Sequence, residues 1–247
     1  MEPWMALAAL AACMVGACLQ RVSGAGVGLV VTPVMVLIFG PVSGVLLTNA
    51  TTIVSAALIM SVVWRNIDWH RFWQIAPIGL LGSVAGALLV GALPAAVLQV
   101  VVGVVVLVAL VMTFALPRVP HLTGPAPALS AGTVGGFLNT VAGVAMPAMV
   151  IYATVSRWEQ ARFAATLQPV FLTFGALSVA TKLGMGTASV EQLPPLWFFG
   201  LLAAGIVLGV LAGSVLSKRV SAVRARWVAV ILAGAGATLT VVRGLTL

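Results

Sequence analysis

The chain has 247 residues, of which 62% are hydrophobic and 6% are charged, and its mean hydropathy is +1.22. About a quarter of the residues of an ordinary soluble domain are charged, so this composition excludes such a domain and predicts a polytopic membrane protein. The formal net charge is +8, but the Lys and Arg residues are spread over loop ends. Basic residues beside membrane spans are orientation signals, and we therefore exclude nucleic-acid binding.

The first apolar element is predicted from about Trp4 to Gln20, where the chain meets a polar, glycine-rich break. The break reads Gln20-Arg21-Val22-Ser23-Gly24-Ala25-Gly26-Val27-Gly28. A shorter apolar piece follows, from about Val27 to Phe39. Hydrocarbon cannot satisfy exposed backbone groups, so such a break survives only where it lines a cavity or is buried in protein.

Three membrane helices are predicted to complete the first half, over about residues 43–64, 72–92 and 94–116. Thr48 and Asn49 place polar groups early in the first of them. Residues 117–127 contain four prolines and a glycine, which is typical of a linker. We therefore assign repeat one to residues 1–116, the linker to 117–127 and repeat two to 128–247, all within a single transmembrane domain.

The second half repeats this plan. Apolar pieces over about 128–138 and 145–155 flank a second break, which reads Gly135-Gly136-Phe137-Leu138-Asn139-Thr140-Val141-Ala142-Gly143. The chain continues with helices over about 160–183 and 196–216 and with a last helix that ends near Val242. Thr166 and Gln168 lie early in the first of these helices. Paired breaks in corresponding halves are the best sequence indication of a transporter's binding site.

Charge and parity predict the topology. Positive residues favour the cytoplasmic side, so Arg65, Arg71, Arg118 and the segment 218–226 are assigned there. Counting the membrane crossings between these segments then requires the second broken element to begin and end on the same side of the membrane. Its pieces of roughly 11 residues are too short to cross about 30 Å of hydrocarbon. The predicted fold is an all-α polytopic membrane protein with two inverted repeats, each a broken re-entrant hairpin plus three transmembrane helices, and with both termini outside the cytoplasm.

The tips of two such hairpins would meet near the midplane. Helix N-termini carry unpaired N–H groups and a positive partial charge, so they bind anions, and an arginine at membrane depth is usually functional. Instead of binding a substrate, Arg21 could lie at the membrane interface. The amide and hydroxyl side chains near the breaks could instead form hydrogen bonds between helices. Lys182 is interpreted as an interfacial anchor. The candidate substrate-binding residues, with Arg162 as a further candidate, are Gln20, Arg21, Ser23, Gly24, Gly26, Gly28, Thr48, Asn49, Asn139, Thr140, Gly143, Thr166 and Gln168.

The acidic residues are as informative as the basic ones. All four lie in termini or predicted loops, at Glu2, Asp68, Glu159 and Glu191. With no carboxylate in an apolar span to relay protons or hold sodium, a cation transporter is disfavoured. No nucleotide loop, nucleophile–base pair or metal-ligand spacing is present, so we predict neither an enzyme nor a cofactor.

At the breaks the chain resembles the sulfite exporter TauE/SafE family, also called sulfonate uptake permeases. The resemblance is carried by Gly24-Ala25-Gly26-Val27-Gly28 with Pro33, by Asn66-Ile67-Asp68-Trp69, by Leu138-Asn139-Thr140-Val141-Ala142-Gly143 with Pro147, and by Phe163-Ala164-Ala165-Thr166-Leu167-Gln168. It covers nearly the whole chain. It implies transport of small sulfur-containing anions, namely sulfite, thiosulfate or organosulfonates, across a bacterial plasma membrane.

Our main hypothesis is a secondary transporter of such anions that works by alternating access. The alternatives are a passive anion channel with the same hairpins, a transporter of another small organic anion, and a non-transporting membrane scaffold. The expected partners are a small anionic substrate and the lipid bilayer. The oligomeric state is left open, and a homodimer is one option.

Overall fold

A computed structural model describes residues 2–24, 26–115, 121–122, 124–189, 191 and 193–247. Arg118 and most of the linker's first half therefore lie outside the described residues. The helices, joined by a short 3-10 turn at Trp64–Asn66 and by loops, are α1 (Pro3–Ser23), α2 (Val27–Phe39), α3 (Pro41–Val63), α4 (Trp69–Ile75), α5 (Gly79–Ala92), α6 (Ala95–Ala115), α7 (Ala126–Ala142), α8 (Met146–Val155), α9 (Gln160–Gly184), α10 (Leu196–Leu216) and α11 (Ala222–Thr246).

The predicted fold class is confirmed. Throughout the described ranges the chain forms helices and turns without strands, and 7 segments in these ranges are long and apolar enough to cross a membrane. One of them is the pair α4 and α5, which together count as one span, Trp69–Ala92. The protein is therefore a multi-pass membrane protein, and the inverted relation of its halves stays a prediction.

Both breaks are shorter than the sequence predicted. Helix α1 continues through Gln20 and Arg21 and ends at Ser23, and α2 begins at Val27. Helix α7 continues to Ala142, and the second interruption is confined to residues 143–145. The prediction was wrong at the edges because polar residues and glycines remain helical where neighbouring helices pack against them.

Gly135 and Gly136 illustrate this packing. A Cβ on Gly135 would lie 2.8 Å from the Phe174 ring and 2.9 Å from Met149, and a Cβ on Gly136 would overlap the carbonyl oxygen of Gly79. These glycines allow α7 to lie closely against α5 and α9 instead of breaking the helix. Small residues at such crossings are typical of membrane helices.

The arms of the two hairpins are also unequal. The first arm of the second hairpin, α7, has 17 residues instead of the roughly 11 expected, whereas α8 has 10. Helix α1 has 21 residues, about 31 Å at 1.5 Å per residue, which is enough to cross a bilayer. Each hairpin therefore combines a long arm with a short one, and α2 and α8 are the arms too short to span.

Each hairpin packs mainly against the opposite half. Helix α1 lies along α10, where the missing side chains of Gly205, Gly209 and Gly213 leave room for the backbone of α1, and α7 lies along α5. Helices α3 and α9 meet in the centre and α6 packs on α11. The breaks are consequently enclosed by helices from both halves.

Candidate functional site

The long arm of each hairpin ends in the same backbone geometry. Gly24 has φ 84° and its N–H donates to the carbonyl oxygen of Gln20 at 2.8 Å. Gly143 has φ 68° and donates to the carbonyl oxygen of Asn139, also at 2.8 Å. Left-handed conformations at helix C-termini favour glycine because it lacks a Cβ. Gln20 and Asn139 therefore hold equivalent positions, four residues before the turn.

The two breaks are in direct contact. A Cβ on Gly28, in the first turn of α2, would overlap the carbonyl oxygen of Gly143. A Cβ on Gly26 would lie 2.6 Å from the backbone nitrogen of Gln20. Only glycine at these positions allows the first hairpin to close so tightly and to touch the second.

A small internal cavity of about 20 Å³, which we call the chamber, lies between the breaks. A cavity of this size holds about one water molecule. Five of the predicted site residues line it: Gln20, Gly26, Gly28, Asn139 and Gly143. The rest of its wall is Leu29, Thr52, Val144, Ala145, Met146 and Phe171.

Beside the chamber, amide side chains join the two halves in two pairs. In the first pair, Gln20 Nε2 donates to Gln168 Oε1 at 3.0 Å, and Gln20 Oε1 accepts from the backbone N–H of Val27 at 3.3 Å. The Gln pair thus ties the end of α1 to the start of α2 and to α9. All three residues are buried.

The second pair is more highly connected. Asn139 Nδ2 donates to Asn49 Oδ1 at 2.7 Å, while Asn49 Nδ2 donates to the carbonyl oxygen of Asn139 at 3.3 Å and to Ser178 Oγ at 3.0 Å. This Asn pair joins α7 to α3 and, through Ser178, to α9. Gln20 therefore reaches from the first half to the second, and Asn139 reaches from the second half to the first.

The chamber is a donor-rich environment. Each amide nitrogen carries two N–H groups, and Gln20 and Asn139 each donate one of them within their pairs. The first turns of α2 and α8 begin at the chamber wall, and N–H groups in a first helical turn have no intrahelical acceptor. Among these groups the Val27 N–H is bonded to Gln20 Oε1, and Pro147 has no N–H. No carboxylate lines the cavity. These features favour a small anion over a cation.

A larger cavity of about 400 Å³, which we call the vestibule, adjoins the chamber and shares Leu29 and Met146 with it. Its polar and charged lining includes Ser23, Thr154 and Gln160, the exposed Arg157, and Arg226. Apolar residues of α8, α9 and α11 form the rest of the wall, including Val150, Phe163, Leu167, Ala229 and Val230.

Trp158 also lines the vestibule. Its indole Nε1 is buried and has no hydrogen-bond partner among the described residues. The guanidinium of Arg71 lies 4.6 Å from the Trp158 ring centroid, and Arg71 Nη1 donates to Ser156 Oγ at 2.9 Å. The Arg71 cation over its face holds this ring in place.

The structure places the other predicted residues around this centre. Gly24 lines the vestibule. Thr48 donates to the carbonyl oxygen of Gly44 and its methyl group borders Gly143. Thr140 is fully buried and its Oγ1 has no partner in the described part of the chain. Thr166 accepts from the backbone N–H of Asp68 at 2.9 Å, away from both cavities.

The two predicted arginines lie apart from the cavities. Arg21 points to α10, where its Nε donates to Ser214 Oγ at 3.1 Å, and it lines neither the chamber nor the vestibule. Arg162 is exposed in the first turn of α9 and also lines neither cavity. The basic residues that do line the vestibule are Arg157 and Arg226.

Sequence analysis did not identify Arg157, Trp158 and Arg226 as site residues. Arg157 and Trp158 directly follow the short arm of the second hairpin. Because this arm leads away from the chamber, the residues at its end could have been predicted to lie at the opening of the site. Lys182 was interpreted wrongly: its side chain is 0% exposed, so it is not an interfacial anchor. The described residues contain no group of His, Cys, Asp and Glu side chains that could hold a metal ion.

Comparison with known proteins identifies the family. Residues 8–239 match the model of the family described as Sulfite exporter TauE/SafE, which implies a membrane exporter or transporter of sulfite or related sulfur anions. Comparisons with curated proteins and with solved structures returned no match. The family match spans both hairpins, the chamber and the vestibule, and we conclude that the chain belongs to the sulfite exporter TauE/SafE family of membrane transporters.

Proposed function

We propose that the protein is a secondary transporter that moves a small sulfur-containing anion (sulfite, thiosulfate or an organosulfonate) by alternating access through the chamber. The chamber carries this proposal: the first turns of α2 and α8 and one amide of each pair, Gln20 and Asn139, line it, and no carboxylate does. Its donors suit an oxyanion, which has several acceptor oxygens and no donor when fully ionised. The candidate residues at its wall are the proposed substrate ligands.

The two cavities suggest a state open to one side. The vestibule leads to the chamber, whose volume of about 20 Å³ suits one water molecule and not a sulfur atom with three oxygens. Binding must therefore widen the chamber by moving one hairpin against the other. Arg157 and Arg226 line the vestibule, and basic residues favour the cytoplasmic side, so the proposal has the vestibule face the cytoplasm of a bacterial cell.

The course of the central helices supports an inverted relation between the halves. Asn49 of α3 lies beside Ser178 of α9, whereas Asp68, beyond the end of α3, lies beside Thr166 near the start of α9. The two helices therefore run antiparallel, as corresponding helices of inverted repeats do. Such halves can expose a central site to either side in turn.

Transport into proteoliposomes containing the full-length protein tests this proposal. Sulfite, thiosulfate, sulfoacetate and taurine are compared with acetate as a carboxylate control, and Gln20→Leu is compared with Gln74→Leu, which lies outside both cavities. We expect saturable uptake of one or more of the sulfur anions and its loss in Gln20→Leu alone. If no sulfur anion is carried, or if Gln20→Leu transports normally, the proposal is rejected.

The same assay separates a transporter from a passive anion channel. A transporter coupled to an ion gradient accumulates its substrate above the external concentration, whereas a channel only equilibrates it. With the membrane potential held at zero, we expect accumulation when an ion gradient is imposed. Uptake that stops at equal concentrations under every gradient would favour the channel.

A further inference from the structure

A lysine lies buried near the end of α9, and among the described residues it forms no ion pair. The Lys182 side chain is 0% exposed, and its Nζ has no hydrogen-bond partner in the described ranges. Helices α3, α5 and α7, which pack against α9, contain no charged residue. A charged group at membrane depth is costly and usually functional, so this position needs an explanation.

Lys182 cannot reach the membrane surface in the way that a lysine at a helix end usually does. The segment after α9 folds back over it: the N–H groups of Thr187 and Ala188 donate to the carbonyl oxygen of Lys182 at 3.0 and 3.2 Å. Thr187 in turn packs on the last turns of α5, where a Cβ on Gly91 would lie 2.8 Å from its methyl group. The amine of Lys182 is thus held inside the protein.

A second unpartnered polar group lies in the same layer. Helix α5 runs parallel to α9, because Gly79 contacts Phe174 and Gly91 contacts Thr187, so Gly86 lies roughly level with Lys182. A Cβ on Gly86 would lie 3.0 Å from the Cβ of Thr140, whose buried Oγ1 has no partner in the described part of the chain. Lys182 Nζ and Thr140 Oγ1, which both lack a partner among the described residues, therefore lie at roughly the level of Gly86.

This layer continues the polar face of the chamber. Lys182 lies one turn beyond Ser178, which holds Asn49 of the Asn pair, and about 21 Å along α9 from Gln168 of the Gln pair at 1.5 Å per residue. The vestibule opens at the other end of α9, next to Gln160. Polar groups therefore extend from the vestibule, through the chamber, to Lys182.

We propose that Lys182 is a second anion-binding position, at the end of the path opposite the vestibule. It binds the oxyanion head group after it has left the chamber, with the Thr140 hydroxyl as an additional donor, and in the present state the segment over α9 keeps this position closed. The inference rests on the proposed function and assigns a residue to the second half of the transport cycle.

The test compares Lys182→Met, which keeps the length of the side chain and removes its charge, with Lys218→Met in an exposed loop. Uptake of the transported sulfur anion is measured in proteoliposomes with the full-length protein. We expect transport by Lys182→Met to fall at least about tenfold, because one charge-assisted contact is lost. Lys182→Arg should keep much of the wild-type transport. Binding from the vestibule, measured by calorimetry, should change less than about threefold because the chamber is intact.

Thermal unfolding distinguishes this role from a structural one. A buried charge without a partner destabilises the folded state, so Lys182→Met should unfold at no lower a temperature than the wild type. A Met variant that unfolds earlier, together with a Lys182→Gln variant that restores both stability and transport, would show that the lysine only fills space and would overturn the inference.

The remaining outcomes separate the two proposals. If the wild type carries a sulfur anion and Lys182→Met carries it equally fast, the role of Lys182 is rejected and the proposed function stands. If the wild type carries none of the anions, the proposed function fails, and the role of Lys182 fails with it.

Discussion

The two helix breaks share a backbone geometry but differ in their surroundings. Each long arm ends in a left-handed glycine, Gly24 or Gly143, four residues after an amide. The first break touches the vestibule through Gly24 and the chamber through Gly26, whereas Gly143 touches only the chamber. The second break is therefore buried deeper than the first.

The two amide pairs also differ, because the pair at the second break forms more hydrogen bonds. Gln20 is bonded to one side chain, Gln168, and to the backbone N–H of Val27. Asn139 and Asn49 exchange two hydrogen bonds and bind a third helix through Ser178. The same backbone geometry therefore occurs in two different settings: the first hairpin borders the vestibule, and the second joins the two halves through the Asn pair.

Asn139→Leu should break the more connected pair and have the largest effect. It leaves the buried Asn49 Oδ1 without its donor, at a cost of about 1–3 kcal/mol in the free energy of unfolding. Transport should fall at least about tenfold, since an anion donor is lost as well. Chemical denaturation and uptake assays measure both effects; a greater loss of stability in Gln20→Leu would reverse the ranking of the pairs.

Gly28→Ala should separate the breaks without changing a polar group. Its Cβ would overlap the carbonyl oxygen of Gly143, and such overpacking typically costs about 1–3 kcal/mol. Gly184→Ala is the matched control, since nothing lies within 4 Å of its Cβ. We expect a lower free energy of unfolding and slower transport in Gly28→Ala alone. Wild-type stability and transport in Gly28→Ala would mean that the breaks need not touch.

Arg226→Gln should affect only the entry path beside the first break. Arg226 lines the vestibule, and Arg224, two residues earlier, is exposed and lines neither cavity. The substitution should raise KM about two- to fivefold at low salt and less at high salt, because mobile ions screen charges at a cavity mouth. An equal effect of Arg224→Gln would assign the change to net charge instead of position.

Arg21→Gln should have the smallest effect of these changes, although Arg21 lies within the first predicted break. Its contact is with Ser214 on α10, so we expect a loss of about 0.5–1.5 kcal/mol in the free energy of unfolding and transport within about twofold of the wild type. A loss of transport comparable to that of Gln20→Leu would instead support a direct role of Arg21 in substrate binding.

Much of the fold follows from local pattern. Apolar runs interrupted by glycine predicted each of the main helices, because backbone groups in hydrocarbon must be satisfied within the helix. The exact extent of the breaks could not be read from the sequence. Gly135 and Gly136 look like a break, but they are helical because Gly79 and Phe174 occupy the space that side chains would need.

The candidate site was predictable where backbone geometry defines it and less so elsewhere. Gln20, Gly26, Gly28, Asn139 and Gly143 line the chamber as a set, because a glycine turn and the amide four residues before it are linked by local structure. The vestibule brings together residues that are distant in the chain, such as Ser23 and Arg226, and no local pattern indicates that they meet.

The sequence by itself determined the membrane class, the paired breaks and the lack of carboxylates in the apolar spans, because each depends on composition or on a short stretch of backbone. Only the tertiary structure decided which polar groups have partners. Arg21 is bonded to α10, whereas Lys182 is buried and its Nζ has no hydrogen-bond partner in the part of the chain that the structure describes. Helix packing decides this, since the partner of a side chain in a membrane bundle belongs to another helix.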